Sequence, residues 1–166
     1  MINPEIARPV NNVASSITIP HWLITIIQYI IVAVVISFIW NMIAKKQYEY
    51  NKKYPKIFGM SAFPLIFWAL GLIAMMIIYD YIAYLFVLQS FITQLIVFAI
   101  SYWILLLAAE TIGYHVANVH NEKAAKYPGI PILNCMHAPT WMKIAYFSNG
   151  IIMFLACKAF LIRGLF

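Results

Sequence analysis

Long apolar runs separated by short polar stretches set the pattern of this chain. The first runs from Pro20 to Ile43, PHWLITIIQYIIVAVVISFIWNMI, and stops at Lys45 and Lys46. The second extends from Ile57 to Ala109, interrupted by Asp80, Gln89 and Gln94, and the last runs from Trp141 to Ile162. A hydrocarbon core about 30 Å thick is crossed by roughly 20 apolar residues in a helix. The second run is about twice that length, so it must fold back on itself, and Gln89–Ser90 is the best place for the turn. The pattern predicts an all-α integral membrane protein, a four-helix transmembrane bundle forming a single domain over residues 1–166. Its spans are expected at about 20–43, 60–87, 91–117 and 141–162, with the second and third as a tight hairpin. Pro20 suits a first helical turn, and Trp22 and Trp40 suit interfacial anchors.

Composition strengthens this picture. The chain is 64% hydrophobic and 10% charged, where a soluble domain carries roughly a quarter charged residues. That leaves too little polar sequence for a separate soluble domain. Lys45, Lys46, Lys52, Lys53 and Lys56 follow the first span, and Lys123, Lys126 and Lys143 lie between the third and fourth, whereas Arg8, Lys158 and Arg163 fall on the other side. The positive-inside bias therefore predicts both basic loops on the cytoplasmic or equivalent side and both termini outside. The net charge of +6 is a topology and lipid-contact signal rather than a nucleic-acid footprint. Expected partners are membrane lipids and other membrane protein subunits, with no nucleic acid. The N-terminal segment lacks the basic region and short apolar core of a signal peptide, so the first span is expected to direct its own insertion.

Candidate chemistry concentrates between Glu110 and Lys143, in ETIGYHVANVHNEKAAKYPGIPILNCMHAPTWMK. From Glu110 to Lys126 there is no proline and one glycine, so the third helix is expected to continue until YPGIP breaks it. On that helix Glu110, Tyr114, Asn118 and Asn121 form a polar face, and Ala109, Gly113 and Ala117 form a small-residue stripe suited to close helix packing. His115 and His120 point about 140° apart and do not share one metal. His120, Cys135 and His137, with Glu110 as a further ligand, make the metal candidate; thiolate and imidazole donors suit zinc or copper.

Haem fits less well, because His21 stands at the opposite end of the bundle from the other histidines. Cys135 and Cys157 form no C-x-x-C motif and are not expected to pair. The aromatic-rich segments YEYNKKY, YDYIAYLF and FAISYWI suit membrane interfaces and helix packing without a cofactor.

Asp80 and Glu110 are carboxyl groups at membrane depth, where an ionised group is costly, so each must be paired or face protein or water. Thr93, Gln94, Ser101 and Tyr102 are the polar groups that would join them in a conduction path. The chain has no S-x-x-K, G-x-S-x-G or Walker motif to nominate a hydrolase or phosphotransferase. The leading expectation is a small polytopic accessory or structural subunit of a larger membrane protein complex, not catalytic on its own. The alternatives are a metal- or haem-linked membrane redox protein or enzyme using the His/Cys cluster, and a small transporter or channel using Asp80 and Glu110.

Overall fold

The computed structural model describes residues 20–162. Arg8, Arg163 and the N-terminal segment up to residue 19, which enter the topology and insertion-signal expectations, lie outside the described residues. The chain is all-helical, with four long helices: α1 (His21–Ala44), α2 (Ala62–Leu85), α3 (Phe91–His115) and α4 (Thr140–Ile162). Between α1 and α2 is a minimal hairpin of β1 (Lys56–Ile57) and β2 (Met60–Ser61), in which Lys56 pairs with Ser61 and Ile57 with Met60. Phe58 and Gly59 turn it with φ of 51° and 74°, the left-handed pair that matches the twist of a two-residue hairpin.

α1, α2 and α3 are long and apolar enough to cross a membrane. Among the described residues α4 is not one of them, and it carries Lys143, Ser148, Asn149 and Lys158 within its apolar run. The surface is consistent with a hydrocarbon surround: α1 exposes Ile27, Ile31, Val34, Val35 and Ile39, while Gln28, Ser37 and Asn41 are buried. In water, each of these half-exposed aliphatic side chains would forgo part of the about 1.5–3 kcal/mol that full burial supplies.

The expected hairpin of the second and third helices is present, with Ser90 immediately before α3. Gln94 closes it: its side-chain amide donates to Leu88 O at 2.8 Å, and its carbonyl accepts the Tyr79 hydroxyl at 3.1 Å. The polar residue that interrupts the apolar run thus serves the turn. α1 packs most extensively along α2, and α4 lies against α1 and α3. In the half of the bundle near the α2–α3 turn, Tyr79, Phe98 and Phe154 meet with ring centroids 4.8–5.4 Å apart. Midway, Gly150 of α4 makes room for α3, since a Cβ there would stand 2.5 Å from the Tyr102 ring.

The basic loops lie together at the other end of the bundle. Residues around Tyr50 run antiparallel to those around Asn121, with Glu122 N–H donating to Glu49 O at 2.6 Å and Asn51 N–H to His120 O at 3.2 Å. Asparagine side chains complete the clip. Asn121 donates to Gln47 O at 2.6 Å and accepts from Glu49 N–H at 3.0 Å, while Asn51 donates to Asn118 O at 2.8 Å and accepts from His120 N–H at 3.1 Å.

One expectation fails here. α3 ends at His115 instead of running on to Lys126. Asn118 takes a left-handed φ of 50°, a conformation that asparagine tolerates better than most residues. Val119 N–H then turns back to Gly113 O at 2.9 Å. The freed carbonyls of Ala117 and Asn118 are taken by Lys52 and Asn51. The wheel positions assigned beyond His115 therefore do not apply.

Candidate functional site

The clipped loops roof a cavity of about 390 Å³ between the loop ends of α2, α3 and α4. Helix periodicity places its walls. On α2, Phe63 and Phe67 are one turn apart and share a face, with Trp68 beside them. On α3, Ala109 and Gly113 form one i, i+4 row and Glu110 and Tyr114 the next, all four on the wall. The first row is small, which leaves the space; the second is polar, which gives it chemistry. Tyr146 of α4 and Tyr48 and Tyr50 of the first loop add three more rings.

These rings form a connected lining. Tyr48 stacks on Tyr50 at 5.9 Å, Tyr50 meets Phe63 edge-on at 5.1 Å, and Phe63 stacks on Phe67 at 5.6 Å. Trp68 leans on Tyr146 at 5.0 Å. Hydroxyl groups hold the arrangement: Trp40 Nε1–H donates to Tyr48 Oη at 2.8 Å, which shares a second hydrogen bond with Tyr146 Oη at 3.1 Å. Burial pushes the Tyr48 and Tyr50 hydroxyls well above the ordinary tyrosine range, so both are neutral at physiological pH.

On the opposite wall, Tyr114 stands among the histidines. Its ring stacks on His137 at 4.9 Å and lies 5.7 Å from His120. His115 packs beside Tyr114 but directs Nε2 to Leu133 O at 3.0 Å and does not line the cavity. Glu110 has no hydrogen-bond or ion-pair partner among the described residues, although it lines the cavity. Asp80 differs: it accepts the Tyr29 hydroxyl at 2.6 Å near the other end of the bundle.

The structure thus brings Glu110, His120 and His137 to one cavity but not the fourth metal candidate. Cys135 is fully buried and absent from the cavity wall. His137 Nδ1 lies 2.9 Å from Tyr127 O and Nε2 lies 3.3 Å from Asn134 O, and a neutral imidazole donates its one N–H to one of these carbonyls. Among the described residues no three His, Cys, Asp or Glu side chains form a group that could hold a metal ion. The zinc or copper set of His120, Cys135, His137 and Glu110 is therefore not assembled. For haem, His21 opens α1 at the far end from His120 and His137, as the sequence implied.

The Ala109, Gly113 and Ala117 stripe lines the cavity, and a Cβ at Gly113 would meet nothing within 4 Å. The close crossing expected there is not made among the described residues, and Gly150 meets a neighbouring helix instead. Of the groups proposed to join Asp80 to Glu110, Gln94 is tied into the hairpin, and the Tyr102 hydroxyl donates to Tyr146 O at 2.5 Å. The aromatic wall escaped the sequence reading because tyrosine and tryptophan near a span end are the ordinary sign of an interface. The usable signal was the i, i+4 pairing of Phe63 with Phe67 opposite Ala109 and Gly113. No protein-family model, curated protein or solved structure matches this chain.

Proposed function

We propose that the chain is a four-span membrane protein that binds a small organic molecule in the cavity at the loop end, with that end on the cytoplasmic or equivalent side. The observation that carries the binding role is the cavity itself. Its volume of about 390 Å³ falls within the roughly 300–1,000 Å³ of small-ligand pockets, which combine apolar walls with few polar groups. Membership of a larger membrane assembly, the first expectation from sequence, is compatible with this role. A heterologous chain co-purifying at fixed stoichiometry would support it.

The test uses Gly113→Leu, which projects a side chain into open space on the cavity wall. Native mass spectrometry of protein extracted from its own membrane in mild non-ionic detergent should show a bound small molecule. Gly113→Leu should lack it while retaining the native melting temperature. A wild-type preparation free of any adduct, together with a Gly113→Leu protein indistinguishable in mass profile and in function in its host, would remove the binding role.

A further inference from the structure

We infer that the cavity receives the ammonium group of an organic cation, held against the aromatic faces with the Glu110 carboxylate as counter-charge. This rests on the ligand-binding reading above and names the ligand's class. The first argument is the unmet partner. Glu110 lines the cavity near the inner end of a membrane-spanning helix, and no described side chain donates to it or pairs with it. An isolated carboxylate away from bulk water is costly, and a bound cation supplies what the protein leaves out.

The second argument is the kind of surface around that carboxyl. Phe63, Phe67, Trp68, Tyr114 and Tyr146 present rings to the same space, and a cation within about 6 Å of such a ring's centroid is attracted by its quadrupole. Aromatic walls with one acidic group suit a large, weakly hydrated charge such as a substituted ammonium. They do not suit a small metal ion, which needs several oxygen, nitrogen or sulfur donors.

The third argument excludes anions. No lysine or arginine among the described residues lines the cavity. The nearby Lys52 ammonium donates to Ala117 O at 2.9 Å, and Lys123 pairs with Glu49 at 3.0 Å. Among the described residues, the other titratable side chains facing the space are tyrosines, His120 and His137, and the one N–H of a neutral His137 is within reach of the Tyr127 and Asn134 carbonyls.

An ammonium group of this kind could belong to a lipid headgroup or to a free amine, and one experiment separates the two. Calorimetry would measure binding of choline, and of the uncharged isostere 3,3-dimethyl-1-butanol, to the full chain in nanodiscs of phosphatidylglycerol and of phosphatidylcholine. Choline should bind in phosphatidylglycerol discs at least about tenfold more tightly than the alcohol. Glu110→Gln should erase most of that preference. Phe67→Leu, at an exposed ring, should weaken choline by about two- to fivefold. Choline binding lost in phosphatidylcholine discs assigns the site to a headgroup, and binding retained there assigns it to a free amine; both support the cation. The alcohol binding as well as choline, or alone, would overturn the cation while leaving a ligand site in place. Neither compound binding in either disc would overturn both readings. The choline–alcohol comparison uses the native chain, so it stands even where a variant misfolds.

Discussion

Gly150 and Gly113 show how differently one residue type can be used in two helices of the same bundle. Gly150 exists so that the Tyr102 ring can lie on α4, since an added methyl would overlap that ring at 2.5 Å. Gly150→Ala should therefore destabilise the protein by about 1–3 kcal/mol, seen as a lower melting temperature in detergent. Gly113→Ala, facing open space, should melt like the native protein or slightly above it; equal gains in both would show that helix propensity, not packing, decides. At the far end, Tyr29 is buried and its hydroxyl meets Asp80 at 2.6 Å. Tyr29→Phe should cost about 0.5–1.5 kcal/mol, and unchanged resistance to denaturation would mean that water replaces the hydroxyl at Asp80.

Among the elements, the connections distinguish this fold more than the helices do. The helices follow from apolar length, whereas the two basic loops have no apolar run to position them and depend on asparagine side chains bridging one backbone to the other. Asn121 makes two of those bridges, to Gln47 and Glu49. Asn121→Ala should expose the amides of residues 47–52 and 118–122 to faster hydrogen exchange. Each lost bond is worth about 0.5–1.5 kcal/mol, so exchange should rise roughly tenfold or more there and stay unchanged in the middle of α2. Uniform exchange across both loops in the two proteins would show that the clip contributes nothing to their order. The ion pair of Lys123 with Glu49, about half exposed on both sides, should matter far less, because water and salt screen it.

For the whole molecule, the proposed fourth span decides which side α4 ends on. Three crossings put the end of α4 with the basic loops; four put it with the α2–α3 turn. In a background lacking both native cysteines, single cysteines at Gln89, Lys126 and Gly164 should be labelled in intact cells by an impermeant reagent as yes, no and yes. Labelling of Gly164 together with Lys126 only after permeabilisation would leave three spans. Polar side chains do not forbid the crossing in themselves, since Asn149 is buried inside the bundle. Asn149 and Lys158 face a lower cost where protein surrounds them than where lipid does.

The apolar runs determined by themselves that this protein is helical and, the end of α3 apart, nearly where each helix begins and ends. Crossing length is a local quantity, and backbone polar groups with no water nearby must pair within the helix. The α2–α3 turn was legible at Gln89–Ser90 for the same reason. Only tertiary structure decided the end of α3, because Asn118 is equally at home in a helix or a left-handed stop. The choice rests on Lys52 and Asn51, far away in sequence, donating hydrogen bonds to the freed carbonyls. The role of the small residues also lay beyond sequence. Ala109 and Gly113 have the same spacing whether a helix or a cavity faces them, and what fills the space depends on rings brought in by α2, α4 and the first loop. Glu110, His120 and His137 were legible as candidates from their chemistry. That they share a cavity walled by Phe63, Phe67, Trp68 and Tyr146, while Cys135 turns away into the core, is a property of packing, set by how the loops and helices meet at one end of the bundle.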